Sequence, residues 1–133
     1  GAPPEELVPQ FAIIEELIQK MEIPHLGMEN YEADDVIGSI VTQFKNDFDE
    51  ILIASGDKDL MQFVDGPIKM LDTMKDKIFA REDVKEKMGV WPEQIVDYLS
   101  LLGDSSDNIP GVKGIGAKGA AKLLEEHNEY LHR

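Results

Sequence analysis

The sequence predicts an α/β fold, a sheet with a parallel centre flanked by helices, followed by a helical C-terminal subdomain. Three observations carry this. "EILIAS" (residues 50–55) is a short, continuously apolar, β-branched run, typical of a buried parallel strand. Up to residue 80 the patterns alternate as α, β, α, β, α, β, β. After that only helical patterns and a glycine-rich loop follow.

Each element has its own signal. Pro3 and Pro4 suit a helix start, and from Glu5 the residues Leu7, Val8, Phe11, Ile14, Leu17, Ile18 and Met21 fall at helical spacing. Pro24 ends that helix, and "IPHL" reads as a short strand. "EADDVIGSIVTQFKN" is a second amphipathic helix with Val36, Ile37, Ile40, Val41 and Phe44 facing inward. "GDKDLMQFV" turns into a helix, and "PIKMLD" and "KIFA" read as strands of a hairpin. "REDVKEKMG" is a helix stopped by Gly89, and "WPEQIVDYLSLLG" one with Pro92 in its first turn and Gly103 at its end. The last helix is "AKGAAKLLEEH".

The chain of 133 residues is long enough for a hydrophobic core, and its apolar fraction of 42% fits a folded domain. No apolar run approaches the roughly 18 residues of a membrane span, and the N-terminus shows no signal pattern. A soluble, cytoplasmic protein with no membrane partner is therefore expected. The absence of cysteine removes disulfides, thiolate metal sites and cysteine nucleophiles together. The net charge of −14 argues against nucleic-acid binding by the surface as a whole. The charge is uneven, however. Residues 110–122 hold Lys113, Lys118 and Lys122 and no acid, a local +3 that leaves −17 elsewhere.

Acids gather at three junctions. Glu32, Asp34 and Asp35 open the second helix, Asp57 and Asp59 follow the strand "ILIAS", and Asp104 and Asp107 follow the helix ending at Leu102. Open α/β sheets place their sites at the carboxyl ends of parallel strands, where Asp57 and Asp59 fall. Each cluster alone is explained by helix capping and the helix dipole. Together, seven converging carboxylates require cations, and an all-carboxylate donor set selects hard ions such as Mg²⁺ or Mn²⁺. Two such ions about 4 Å apart are a standard device for phosphodiester hydrolysis. An EF-hand is excluded, because Met61 stands where the next oxygen ligand belongs. A phospho-acceptor domain also uses paired acids and a lysine, but it leaves the glycine-rich tail unexplained.

"PGVKGIGAK" sets Gly111, Gly114 and Gly116 where positive φ and close backbone approach are useful. A helix begins near Ala117, and its first N–H groups can face a phosphate. Val112 and Ile115 alternate with the glycines as a small hairpin core, and Lys113, Lys118 and Lys122 lie close by. This is the form of a helix–hairpin–helix that grips a nucleic-acid backbone without reading bases. A plain glycine connector is the alternative.

"YEADDVIGSI", "SGDKDLMQFV" and "GDSSDNIPGVKGIGAKGAAKLL", in that order and spacing, closely resemble the 5′-nuclease domain of bacterial DNA polymerase I. That family includes flap endonucleases and stand-alone bacterial 5′-exonucleases. The resemblance runs from about Pro4 to the C-terminus. It implies a PIN-like α/β core and a helix–three-turn–helix element. It also implies metal-dependent removal of 5′ flaps, primer RNA or 5′ nucleotides from DNA. Carried over, Glu32, Asp34 and Asp35 match the central acidic motif, Asp57 and Asp59 the next pair, and Asp104 and Asp107 the last. All seven are then metal ligands, with Asp35, Asp57 and Asp59 in catalytic positions. Gly111, Val112, Lys113, Gly114, Ile115, Gly116 and Lys118 fit the DNA-binding hairpin, which in the family also meets a monovalent cation such as K⁺. Gly119 stands where the family commonly has threonine.

The resemblance divides the chain into residues 1–90, the later part of the nuclease core, and residues 91–133, the DNA-binding subdomain. The family's first strand with its aspartate, and its basic arch, have no counterpart in these residues. The expectation is a monomer whose 133 residues alone cut little or no DNA, with exposed strand edges where the first strand belongs. A non-catalytic DNA-binding module is the alternative reading. Trp91 and Tyr98 are expected in the core, Tyr31 as a helix-entry staple, and Lys58 as a local charge partner. His25, His127 and His132 are given no role.

Overall fold

A computed structural model describes residues 2–131, with side chains through residue 127 in the last helix; His132 lies outside the described residues. The chain forms two compact units, residues 1–36 and 37–133.

In the first unit, α1 (Val8–Lys20) starts later than Pro3 and Pro4 suggested. Residues 5–7 form a turn in which the Leu7 amide donates to the Pro4 carbonyl at 2.9 Å. Pro9 occupies the first helical turn instead. The helix closes before Pro24. Glu22 adopts a left-handed conformation (φ +57°), and the Ile23 amide reaches back to the Ile18 carbonyl at 3.1 Å. The expected strand "IPHL" does not form, and residues 23–28 are irregular. Pro24 has no N–H to offer a ladder, and a run this short does not by itself separate strand from loop. α2 (Ala33–Phe44) begins here, with the Asp35 carboxylate accepting the Glu32 amide at 3.0 Å. Tyr31, the expected staple, is exposed.

In the second unit, the later part of α2 buries Gly38 and Val41. Gly38 accommodates the Phe63 ring, since a Cβ there would lie 2.4 Å from it. Ile40 and Phe44, expected inward, stay more than a third exposed. The sheet runs β1 (Ile51–Ala54), β2 (Ile68–Asp72), β3 (Lys77–Phe79), in that order. β1 and β2 are parallel, with Ile53 opposite Met70; β2 and β3 are antiparallel, with Met70 opposite Phe79. β1 is thus an edge strand of the sheet. The β2–β3 turn is fastened by Asp72, whose buried carboxylate accepts the Met74 and Lys75 amides at 3.0 and 3.2 Å.

"GDKDLMQFV" folds as a 3-10 helix, Lys58–Phe63, between β1 and β2. Its inner side chains Leu60 and Met61 join Ile53, Ile68, Met70 and Phe79 in the core. Each such fully buried side chain contributes roughly 1.5–3 kcal/mol. α3 (Arg81–Met88) ends at Gly89 in the left-handed region (φ +79°), as its position suggested. A short 3-10 turn, Pro92–Gln94, leads into α4 (Ile95–Leu102), which packs against α5 (Ala117–Leu131). Gln94 is buried yet satisfied: its carbonyl accepts the Trp91 amide at 2.9 Å, and its amide donates to the Leu124 carbonyl at 3.4 Å. Tyr98 is in the core as expected. Trp91 is half-buried, with the Arg81 and Lys85 cations over its ring.

Candidate metal centre and glycine hairpin

Two segments far apart in sequence meet at the carboxylates. The first leaves β1 through Ser55, whose hydroxyl accepts the Asp57 amide at 3.0 Å. Asp57 caps the 3-10 helix, its carboxylate accepting the Asp59 amide at 3.0 Å. That cap fixes the turn and presents Asp59. The second segment leaves α4 through Gly103, which takes a positive φ of +87°. Asp104 then pairs with Ile109 through two backbone hydrogen bonds of 2.9 and 2.8 Å. The Asp104 carboxylate accepts the Ser106 amide at 2.8 Å, and the closed loop carries Asp107.

Asp59, Asp104 and Asp107 converge, each with a carboxylate oxygen within 4.8 Å of the others. Asp104 is buried, Asp59 half-buried and Asp107 exposed. Lys58 joins them, its Nζ donating to Asp59 Oδ1 at 2.9 Å and to Asp104 Oδ2. The bond from Lys58, with help from the Ser106 amide, draws the Asp104 carboxyl down to about 2. The same bond to Asp104 raises the Lys58 ammonium above the usual lysine range. Asp107 moves the other way. Desolvation first, then the charges of Asp59 and Asp104, push its carboxyl above the ordinary value. Three carboxylates against one ammonium leave this cluster with two negative charges. An oxygen-only, net-negative donor set suits a hard divalent cation.

Asp57, placed among the ligands from sequence, is not part of this three-carboxylate group; it serves as the cap described above. Glu32, Asp34 and Asp35 stand at the head of α2 in the first unit, where Asp35 reaches back to the Glu32 amide. Lys58, read from sequence as a charge partner, is one, and its second partner Asp104 lies 46 residues away. The signal was its place between two acids; what the linear sequence withheld was the long-range partner.

The hairpin continues directly from this loop. Gly111 takes φ +67°, and a Cβ there would meet the Leu102 carbonyl oxygen at 2.5 Å. This close approach lets the Val112 amide donate to the Leu101 carbonyl at 2.8 Å, locking the hairpin to the end of α4. Gly114 also has a positive φ (+88°), but Gly116 does not: its carbonyl accepts the Ala120 amide and opens α5. Of the two hairpin hydrophobics, Ile115 packs against the core, while Val112 is about half exposed. Lys113 and Lys118 are exposed, and Lys122 pairs with Glu126 at 3.6 Å.

The structure is thus a mixed α/β core with an acidic oxygen cluster, followed by helices that hold the glycine hairpin between α4 and α5. Residues 1–89 match the family model for the 5′-3′ exonuclease N-terminal resolvase-like domain, and residues 90–131 that for the 5′-3′ exonuclease C-terminal SAM fold. The chain belongs to the 5′-3′ exonuclease family. It is 49% identical to DNA polymerase I of Caldicellulosiruptor bescii over 94% of this chain and 15% of that protein. It is 42% identical to the 5′-3′ exonuclease of Bacillus subtilis over 96% of this chain and 44% of that protein. Among solved structures, the T5 D15 protein co-crystallised with metal ions superposes with a TM-score of 0.84 at 26% identity, covering 97% of this chain and 51% of that one. The chain thus spans less than half the length of either curated relative.

Proposed function

We propose that this chain supplies the metal-holding carboxylates and the backbone-gripping hairpin of a structure-specific 5′-nuclease that hydrolyses phosphodiesters at 5′ ends and flaps of DNA, including primer RNA. The observation that carries the reading is the convergence of Asp59, Asp104 and Asp107 within 4.8 Å. Their hard oxygens suit Mg²⁺ or Mn²⁺, and Glu32, Asp34, Asp35 and Asp57 are the further acids assigned to the centre. Divalent ions held there would lower the pKa of a bound water and neutralise charge on the leaving oxygen.

The chain's own residues do the positioning. Asp57 holds the turn that presents Asp59, and the Asp104–Ile109 pairing holds the loop that presents Asp107. The hairpin at Gly111–Gly116, with Lys113 and Lys118, offers amides and ammonium groups to a phosphate backbone, and its carbonyls suit a monovalent cation such as K⁺. In this reading residues 1–90 form the nuclease core and residues 91–133 the DNA-binding subdomain. A cytoplasmic monomer acting in replication and repair fits it. The presence of a metal-ion complex among the structural neighbours supports the metal assignment.

Because the curated relatives are more than twice as long, the test is made on binding. Titration with Mn²⁺ should show saturable binding that Asp59→Asn and Asp107→Asn each weaken by at least about tenfold, a charge-removal effect. Unchanged affinity in both variants would reduce the acids to helix caps and favour a non-catalytic DNA-binding module.

A further inference from the structure

We propose that Lys58 is a tethered counter-cation of the carboxylate centre, exchanging with divalent metal for the oxygens of Asp59 and Asp104. The inference rests on the reading of that cluster as the metal centre. The Lys58 ammonium is held by two acids from separate segments, Asp59 beside it and Asp104 across the loop. Asp104 has only 6% of its side chain exposed, so its oxygen is poorly served by water. Without a cation its charge would be costly to keep there. Lys58 supplies that cation from within the chain.

The charge balance gives the exchange its logic. With Lys58 in place, the cluster of Asp59, Asp104 and Asp107 carries two net negative charges, matched by one divalent ion. A second divalent ion then needs the oxygens that the ammonium occupies. Lys58 can yield them, because its side chain is 43% exposed and its flexible stem reaches solvent. Lys58 therefore acts as a positioning residue that keeps the metal-free centre assembled and weakens uptake of divalent ions in excess of the first.

The experiment is a Mn²⁺ titration by calorimetry on the wild-type chain, Lys58→Met, Lys58→Arg and Asp107→Asn, with melting temperatures in EDTA and in saturating Mn²⁺. Removing a positive charge a few ångströms from the ion should tighten Mn²⁺ binding by about tenfold in Lys58→Met. Lys58→Arg, which keeps the charge, should stay near wild type. Lys58→Met should melt below wild type in EDTA, with the deficit closing as Mn²⁺ replaces the lost cation. Unchanged or weaker Mn²⁺ affinity in Lys58→Met, or a melting deficit equal in EDTA and Mn²⁺, overturns the exchange and leaves a purely structural lysine. Wild-type binding abolished by Asp107→Asn beside an unresponsive Lys58→Met rejects the exchange alone. A wild-type chain that takes up no Mn²⁺ rejects the metal centre and the exchange with it.

Discussion

Asp104 and Asp107 sit three residues apart, yet their environments pull them in opposite directions. Asp104 is held as a carboxylate by the Lys58 ammonium and the Ser106 amide, with its pKa near 2. Its folded-state value lies below the ordinary one, so its contribution to stability is present above the ordinary carboxylate pKa. That contribution is lost as pH falls from there toward 2. Lys58→Met should remove this acid-side loss, which a denaturation series between neutral and acid pH will show as a flatter pH dependence. Asp107 is raised, so its proton is retained to higher pH than on a free carboxylate. A metal ion must displace that proton, so Mn²⁺ affinity should fall on acidification beginning above the usual carboxylate range. Conversely, Asp107→Asn removes charge repulsion from Asp59 and Asp104 and should leave the melting temperature unchanged or higher while metal binding is lost. At this scale the sequence was informative about chemistry: Asp59, Asp104 and Asp107 were all among the residues it singled out. It did not show that Asp57 caps the 3-10 helix while Asp59 joins the carboxylate cluster, because two aspartates two positions apart read alike.

At the scale of elements, two glycines carry the packing. Gly111 combines a positive φ with a backbone approach that a Cβ would block at 2.5 Å. Gly111→Ala should cost about 2–4 kcal/mol in urea denaturation, summing left-handed strain and overpacking. Gly38 lies under the Phe63 ring, and Gly38→Ala should cost about 1–3 kcal/mol unless the ring swings aside. Gly111 was legible from its place in a glycine-rich turn. Gly38 was not, since nothing in "DDVIGSI" points to a ring arriving from residue 63. β1, β2, β3 and the helices α2 to α5 were each legible, because periodicity and punctuation agree there. "IPHL" misled because a four-residue run fits a strand or a loop equally, and the start of α1 misled because Pro3, Pro4 and Pro9 all suit a first turn. Periodicity also reports which face a helix offers without providing a partner: Phe11, Ile14 and Leu17 of α1 remain about half exposed.

Over the whole molecule, charge and chemistry are separated along the chain. A total of −14 coexists with a hairpin region of +3, and two acids of the cluster, Asp104 and Asp107, stand immediately before that region in sequence. Binding to a 5′-flap duplex, followed by fluorescence anisotropy, should therefore weaken with salt. The double variant Lys113→Ala/Lys118→Ala should lower the slope of log affinity against log salt by about 2, one for each ammonium withdrawn from a phosphate. Equal slopes would place the phosphate-binding cations elsewhere. The centre itself is most directly tested by anomalous diffraction from crystals soaked in Mn²⁺. The expected result is a peak at coordination distance, about 2.0–2.3 Å, from carboxylate oxygens of Asp59, Asp104 and Asp107, with the Lys58 ammonium displaced from at least one of its acids where a second ion binds. A well-ordered site without an anomalous peak, or a peak bound by other residues, would contradict it.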